Sequence, residues 1–163
     1  MRALTSTLLA LSVPLSWIVH LHDVCKRYDV PPSIVAAIAE HESGWTADIV
    51  SRHGTKGLCQ FADGTWRFVV GEIGDDSMEP LDPYDNLTAC AWLLGWLFDR
   101  YDGDLMPSLD AYAMGEGGAS RYWELHKGPT PFAEWIVARA SELEKEGEES
   151  TCVGYLRASQ HTA

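Results

Sequence analysis

Basic residues are scarce in this chain: 12 Lys and Arg stand against 24 Asp and Glu, a formal net charge of −12. A nucleic-acid binder needs clustered cations to displace counterions from phosphates, so nucleic acid is excluded as a partner. Metal-ligand spacing is lacking too. The four cysteines, Cys25, Cys59, Cys90 and Cys152, form no CxxC or Cys/His pattern, and no zinc site, other metal or cofactor is expected. Their even count permits two disulfides in an oxidising compartment. The apolar contexts of Cys59 and Cys90 favour buried free thiols instead, and Cys152 lies in polar sequence where no partner is expected. Long apolar runs are also missing. The stretch Ala3 to Val19 after Arg2 has the character of a secretory signal, yet no small-x-small cleavage site follows it and it is short for a membrane span. The alternative is a first helix packed on the domain.

What is present is the material for one core. A chain of 163 residues, 46% hydrophobic with seven Trp, buries one compact domain rather than two, and it shows no internal repeat or long linker. We place that domain at residues 15–147, between an undecided apolar segment 1–14 and a polar C-terminal tail 148–163. The spacing Trp17, Ile18, Leu21, Val24, Tyr28 predicts a helix over 15–29. Pro31 and Pro32 end it and open a second, Ile34 to Ser43, which Gly44 stops. From Thr46 to Phe61 the glycines and polar residues read as loop with at most a short hairpin, the only β structure expected. Asp63 or Thr65 is placed to cap a short helix through Val70. Asp82 followed by Pro83 starts a long one to about Tyr101, with Leu87, Cys90, Leu94, Leu97 and Tyr101 on one stripe. Leu105 to Met114, Ala119 to His126 and Pro131 to Glu146 complete a mainly α chain. Glu142, Glu144, Glu146, Glu148 and Glu149 read as the solvated face and frayed end of the last helix.

One carboxylate is out of place. At about 100° per residue, Ile34, Val35 and Ile38 share a face of the second helix, and Glu42 falls within it, whereas Glu40 falls opposite. Glu40 is then an ordinary solvated acid. Glu42 is carried toward the core, where burial and the negative end of the helix dipole both raise a carboxyl pKa. A carboxyl kept protonated near neutral pH is what protonation of a glycosidic oxygen needs. The same position also admits a structural reading, with Glu42 exposed at a helix end or paired with Arg52 or Lys56.

The stretch from Ile34 to Trp66 carries Glu42-Ser43, Ser51 with Gly54, Gly57-Leu58-Cys59-Gln60, and Thr65, in order. A second block holds Asp82-Pro83 with Asn86, Gly103-Asp104-Leu105, and Ala111-Tyr112-Ala113 with Gly115. A weaker echo runs from Glu134 to Arg139. Over roughly residues 15–140 this resembles the soluble lytic transglycosylases and goose-type lysozymes of the lysozyme superfamily. The resemblance implies a mainly α, lysozyme-like fold with at most a short β-hairpin beside the groove. It implies Glu42 as the catalytic acid, with Ser51, Gln60 and Tyr112 lining a groove for a peptidoglycan glycan strand. Phe61, Trp45, Tyr122 and Trp123 are candidates for aromatic faces against sugar rings or, equally, for core packing, Phe61 being the one assigned to the groove. His41 and His53 flank the site, but no third ligand at helical spacing makes a metal centre, and this family uses none. Three departures stand out: Cys59 for the usual Met, Ala113 for Asn, and Ile136 where a closing Tyr is usual.

Glycosidases normally pair an acid with a second carboxyl. Asp48, Asp63 and Glu72 are available, none at a position the resemblance marks. A lytic transglycosylase needs no second carboxylate, because the 6-hydroxyl of N-acetylmuramic acid attacks its own anomeric carbon and gives a 1,6-anhydro product. That reading is preferred over lysozyme-type hydrolysis and over a non-catalytic wall-binding or structural virion protein. Its place of action is extracytoplasmic peptidoglycan. The expected setting is a phage enzyme, virion-associated with virion or envelope-machinery partners, or an endolysin released at lysis; export is the alternative.

Overall fold

The computed structural model describes the backbone of residues 12–159 and the side chains through Lys145. Among these residues seven helices run in order: α1 Leu15–Arg27, α2 Pro32–Ser43, α3 Asp63–Ile73, α4 Pro83–Arg100, α5 Leu105–Met114, α6 Glu116–His126 and α7 Pro131–Ser159. Among the described residues the only β pairing is two isolated antiparallel bridges, Val50 with Lys56 and Lys56 with Phe61. The mainly α expectation holds, and the hairpin shrinks to these bridges. The signal-or-helix question for the first residues lies outside the described residues, although α1 begins at Leu15 as expected.

Helix ends follow local chemistry. Pro32 stands in the first turn of α2, where a missing N–H costs nothing, and Gly44 closes the helix at φ 56°, ψ 34°. Asp82 caps α4 by accepting from the Tyr84 and Asp85 amides at 2.9 and 3.1 Å. Neither Asp63 nor Thr65 caps α3. Ala62 holds the cap position with no side-chain bond, and Asp63 sits in the first turn paired with Lys56 at 2.8 Å. Thr130 opens α7: its hydroxyl accepts the Ala133 amide at 3.2 Å, and Pro131 follows. Rather than ending near Glu146, α7 continues as backbone helix through Ser159.

The core is organised around α2. Ser33 through Ala39 are all buried, because α1, α4 and α7 pack around this helix. A helix enclosed on every side has no solvent face until it emerges. That corrects the assignment of its two acids. Glu40 is not a free surface carboxylate: Arg139 of α7 donates its Nε–H to both Glu40 oxygens, at 3.2 and 3.0 Å. Glu42 is not in the core either; its side chain is 27% exposed, against 25% for Glu40. The face argument separated two residues that the packing leaves equally accessible.

The central crossing of α1 on α4 is close. A Cβ at Gly95 would come within 2.6 Å of the Tyr28 carbonyl, so glycine is what lets the end of α1 lie against α4. The expected stripe of α4 holds: Leu87, Cys90, Leu94 and Leu97 are buried, and Tyr101 packs partly buried against the core. Cys25, Cys59 and Cys90 are buried free thiols, and Cys152 lies beyond the described side chains. Glu142 and Glu144 are exposed as expected but reach inward, to Arg139 at 3.1 Å and to the Ser33 hydroxyl at 2.6 Å. Glu146, Glu148 and Glu149 lie outside the described side chains.

Candidate active site

Glu42 emerges where α2 stops. Gly44 and Trp45 both take left-handed backbone, φ 56° and 65°, and turn the chain from the helix into the loop 46–61. Trp45 is buried as a result, with an indole N–H that has no partner among the described residues. The Glu42 carboxyl lies 3.3 Å from His41 Nδ1. Neither Arg52 nor Lys56 reaches it: Arg52 Nε donates to His53 Nε2, and Lys56 is held by Asp63. The structural ion pair considered from sequence is therefore not formed. The His41 ring is fixed from α7 by Phe132, edge-on at 5.0 Å, and by Trp135 at 4.9 Å.

The loop beyond is ordered by polar side chains turned on themselves. The Ser51 oxygen accepts the His53 and Thr55 amides at 3.2 Å each. It lies 2.7 Å from the Thr55 hydroxyl, which lies 2.6 Å from Gln60 Oε1. An amide oxygen only accepts, so Thr55 donates to Gln60 and Ser51 donates to Thr55. Gln60 Nε2 then donates to the Gly57 carbonyl at 2.8 Å. This relay holds Gln60 at φ 51°, a left-handed conformation that a non-glycine residue keeps only when its surroundings over-determine it.

Two further residues pin the loop to the helices. Fully buried Asn86 accepts the Cys59 amide and donates to the Pro80 and Lys56 carbonyls, at 2.8, 2.8 and 3.3 Å. A Cβ on Gly57 would stand 2.2 Å from the Asn86 amide nitrogen, at φ 77°, so only glycine fits. From α5, the Tyr112 hydroxyl donates to the Cys59 carbonyl at 2.9 Å and lies 3.7 Å from Cys90 Sγ. Burial first, then the neighbouring Cys90 and Cys59 thiols and the Glu42 charge, push the Tyr112 phenol well above its usual range. Burial, with Cys90 and the Glu42 charge among the further causes, does the same to the Cys59 thiol.

These elements enclose a cavity of about 390 Å³ whose walls include Thr55, Cys59, Gln60, Phe61, Tyr112 and Ala113. Of the residues assigned from sequence, Gln60, Phe61 and Tyr112 meet here. Phe61 is a nearly buried wall, edge-on to Trp66 and Tyr112. Ser51 does not line the cavity and reaches it only through Thr55 and Gln60. Glu42 is not a wall residue either; it stands close enough for its charge to act on Cys59 and Tyr112, which are. Trp45, Tyr122 and Trp123 lie elsewhere. Asp48 and Glu72 are exposed and Asp63 is tied to Lys56, and among the described residues no carboxylate lines this cavity.

Three contributions were not anticipated. Asp110, fully buried, accepts the Trp123 indole N–H at 2.7 Å and the Thr130 hydroxyl at 2.5 Å, joining α5, α6 and the start of α7 two residues from Tyr112. A lone acid inside the apolar run from Leu105 to Met114 was the available signal. Phe132 stacks nearly parallel to Tyr112, 4° between planes at 6.5 Å, and so links that ring to His41. Thr55 was missed because its role depends on a loop path that spacing does not reveal. At the departures, Ala113 lines the cavity with no side-chain amide, and Ile136 is wholly buried, while its neighbour Trp135 packs on His41. Cys59 has the Cys90 thiol against it.

Comparison with known proteins places this architecture. A soluble lytic murein transglycosylase of Escherichia coli K12 is 29% identical over 104 residues, 59% of this chain, and this chain spans 16% of that relative's length. The crystal structure of the 70 kDa soluble lytic transglycosylase from Escherichia coli superposes with a TM-score of 0.58 at 24% identity, over 75% of this chain and 22% of that one. The lytic transglycosylase Slt of Pseudomonas aeruginosa, in an inactive mutant form, gives 0.60 at 20% identity, over 78% and 21%. A complex of the 70 kDa enzyme with bulgecin A gives 0.63 at 22% identity, over 80% and 24%. The fold shared with them is the lysozyme-like, mainly α transglycosylase fold. The transglycosylase SLT domain model matches residues 22–134, the span that contains α2, the ordered loop and Tyr112, and the chain belongs to that family.

Proposed function

We propose that this protein is a peptidoglycan lytic transglycosylase that cleaves the bond between N-acetylmuramic acid and N-acetylglucosamine, with Glu42 as acid and then base. The observation that carries this reading is one acid beside a cavity whose walls, among the described residues, hold no carboxylate. Glu42 protonates the bridging oxygen as the bond from the anomeric carbon to that oxygen breaks. The 6-hydroxyl of the same muramic acid then bonds to the anomeric carbon and returns its proton to Glu42. The product is a 1,6-anhydro ring, and no water enters the balance. An inverting hydrolase would hold a second carboxyl roughly 6.5–9.5 Å from the first and a retaining one about 5 Å away. The Gln60 amide and the Phe61 and Tyr112 rings supply polar and apolar wall for the sugar on either side of the bond.

Mass spectrometry of digested peptidoglycan tests the reaction. Anhydromuropeptides from wild type, lost by at least about a hundredfold in Glu42→Gln, are expected. Reducing ends in their place mean hydrolysis, and unchanged clearing by Glu42→Gln overturns the assignment of the acid. The substrate lies outside the cytoplasmic membrane, and no helix among the described residues is long and apolar enough to cross one. Delivery by a phage, at entry or lysis, belongs to this proposal. Intact mass of protein from its native source tests it, since loss of the first 15 to 25 residues would show export by a signal peptide instead.

A further inference from the structure

Glu42 has to hold a proton when the glycosidic oxygen leaves, yet its side chain emerges 27% exposed instead of lying in the core. His41 is placed to bring that proton. Its Nδ1 lies 3.3 Å from Glu42 Oε1, and its ring is gripped from α7 by Phe132, edge-on at 5.0 Å, and by Trp135, tilted by 60° at 4.9 Å. Imidazole is the side chain that ordinarily changes charge between pH 5 and 8, whereas a carboxyl ordinarily gives up its proton below that range. The other ionisable groups around the pair are committed. Burial holds the Tyr112 phenol and the Cys59 thiol well above their usual ranges, so both keep their protons, and the phenol donates its own to the Cys59 carbonyl. On the loop, Arg52 donates to His53 and Lys56 pairs with Asp63. On α2 and α7, Glu40 and Glu142 share Arg139, and Glu134 is exposed.

We propose that His41 stores the proton that Glu42 delivers. The inference rests on the proposed role of Glu42 and says where its proton waits between cycles. In the open site the pair is imidazolium beside carboxylate, with Nδ1–H donating to Oε1, since imidazole is ordinarily the stronger base. A glycan strand entering the cavity excludes water, which penalises two charges more than two neutral groups. The Nδ1–H bond then breaks as the Oε1–H bond forms, leaving a neutral imidazole and a neutral carboxyl. Glu42 passes that proton to the bridging oxygen, recovers one from the 6-hydroxyl, and returns it to His41 when water re-enters. No proton is gained or lost over the cycle. His41 touches no sugar atom in this scheme; it acts through Glu42, as a positioning residue for the proton.

The test is the pH profile of kcat/KM for murein cleavage by full-length protein, in wild type, His41→Asn and Glu42→Gln. Asparagine keeps an N–H near the place of Nδ1 but cannot release a proton. Wild type is expected to lose activity on the alkaline side as His41 gives up its proton, and His41→Asn to lose it at least about one pH unit lower. On the same murein the titration of the substrate cancels, so the ratio of variant to wild type falls about tenfold between about pH 5 and 7. A histidine that only orients Glu42 would lower the rate by one factor at every pH, and parallel profiles overturn the inference. His41→Gln gives the same comparison should His41→Asn fail to fold. Murein cleavage retained by Glu42→Gln overturns the assignment of the acid and this inference with it. Cleavage lost in Glu42→Gln with parallel His41 profiles overturns the proton store alone and leaves the acid standing.

Discussion

Asn86 holds the Cys59 backbone amide at 2.8 Å across 27 positions of sequence, inside the protein. Through that bond the long helix α4 sets the height of the loop carrying Gln60 and Phe61, and the Tyr112 hydroxyl takes the Cys59 carbonyl from the other side. The backbone of one residue, on both its sides, is thus fixed by two helices.

Replacing Asn86 by Ala is expected to destabilise the protein by about 3 kcal/mol, because several buried backbone groups lose their partner together. Gly57→Ala acts on the same contact from the loop side, through a clash and a φ of 77° that alanine resists. Urea denaturation followed by far-UV circular dichroism measures both. A change under about 0.5 kcal/mol in either would show that the loop repacks freely.

Thr55→Val keeps the shape of the side chain and removes the hydroxyl that passes from Ser51 to Gln60. Stability should fall by only about 1 kcal/mol. Murein clearing should fall further, about tenfold, as Gln60 loses its orientation. Equal fractional losses in both readouts would make the relay merely structural.

Asp110→Ala leaves the Trp123 indole and the Thr130 hydroxyl without an acceptor and unties α5 from the start of α7. A loss of about 2–4 kcal/mol is expected, with a shift in tryptophan fluorescence as Trp123 is released. Thr130→Val should reproduce part of it, since that hydroxyl also caps α7. An unchanged midpoint in Asp110→Ala would refute the brace.

Alkaline pH should weaken the fold. Burial raises the Cys25 and Cys59 thiols above their usual 9.0 and the Tyr112 phenol above its usual 10.0. Above these ordinary values the unfolded chain has released protons that the folded chain still binds, so stability falls as pH rises. It should be flat with respect to these groups below about pH 8, then decline from pH 9 upward. Denaturation midpoints across that range check the slope, and Cys25→Ala with Cys59→Ala should flatten its lower part. Ellman's reagent should label neither thiol until the chain unfolds.

Much of the site was legible before any coordinates, because its signals are local. Pro32 with Gly44 bounds α2, Asp82 with Pro83 starts α4, and Gly57 before Gln60 marks a turn that side chains cannot enter. These depend on a residue's own backbone preference and on its near neighbours. Gln60 and Tyr112 came from the order of motifs and Phe61 from its aromatic character beside Gln60, and the structure brings those three together.

What failed was inference by face. Periodicity assigned Glu42 to the core and Glu40 to water, but α2 is enclosed by three other helices and both acids end about equally exposed. Whether Glu40 meets Arg139, 99 positions away, or Ser51 spends its hydroxyl on Thr55 rather than on a ligand, depends on how distant segments pack. The sequence by itself determined most of the helices and the ends marked by Pro32, Gly44 and Asp82, since those follow from local backbone energetics, and the order of motifs picked out the candidate acid. Only the tertiary structure decided what surrounds Glu42: His41 beside it, the Tyr112 and Cys59 groups that feel its charge, and cavity walls that hold no carboxylate among the described residues. Those partners come from α2, the loop and α5, and only packing brings them to one place.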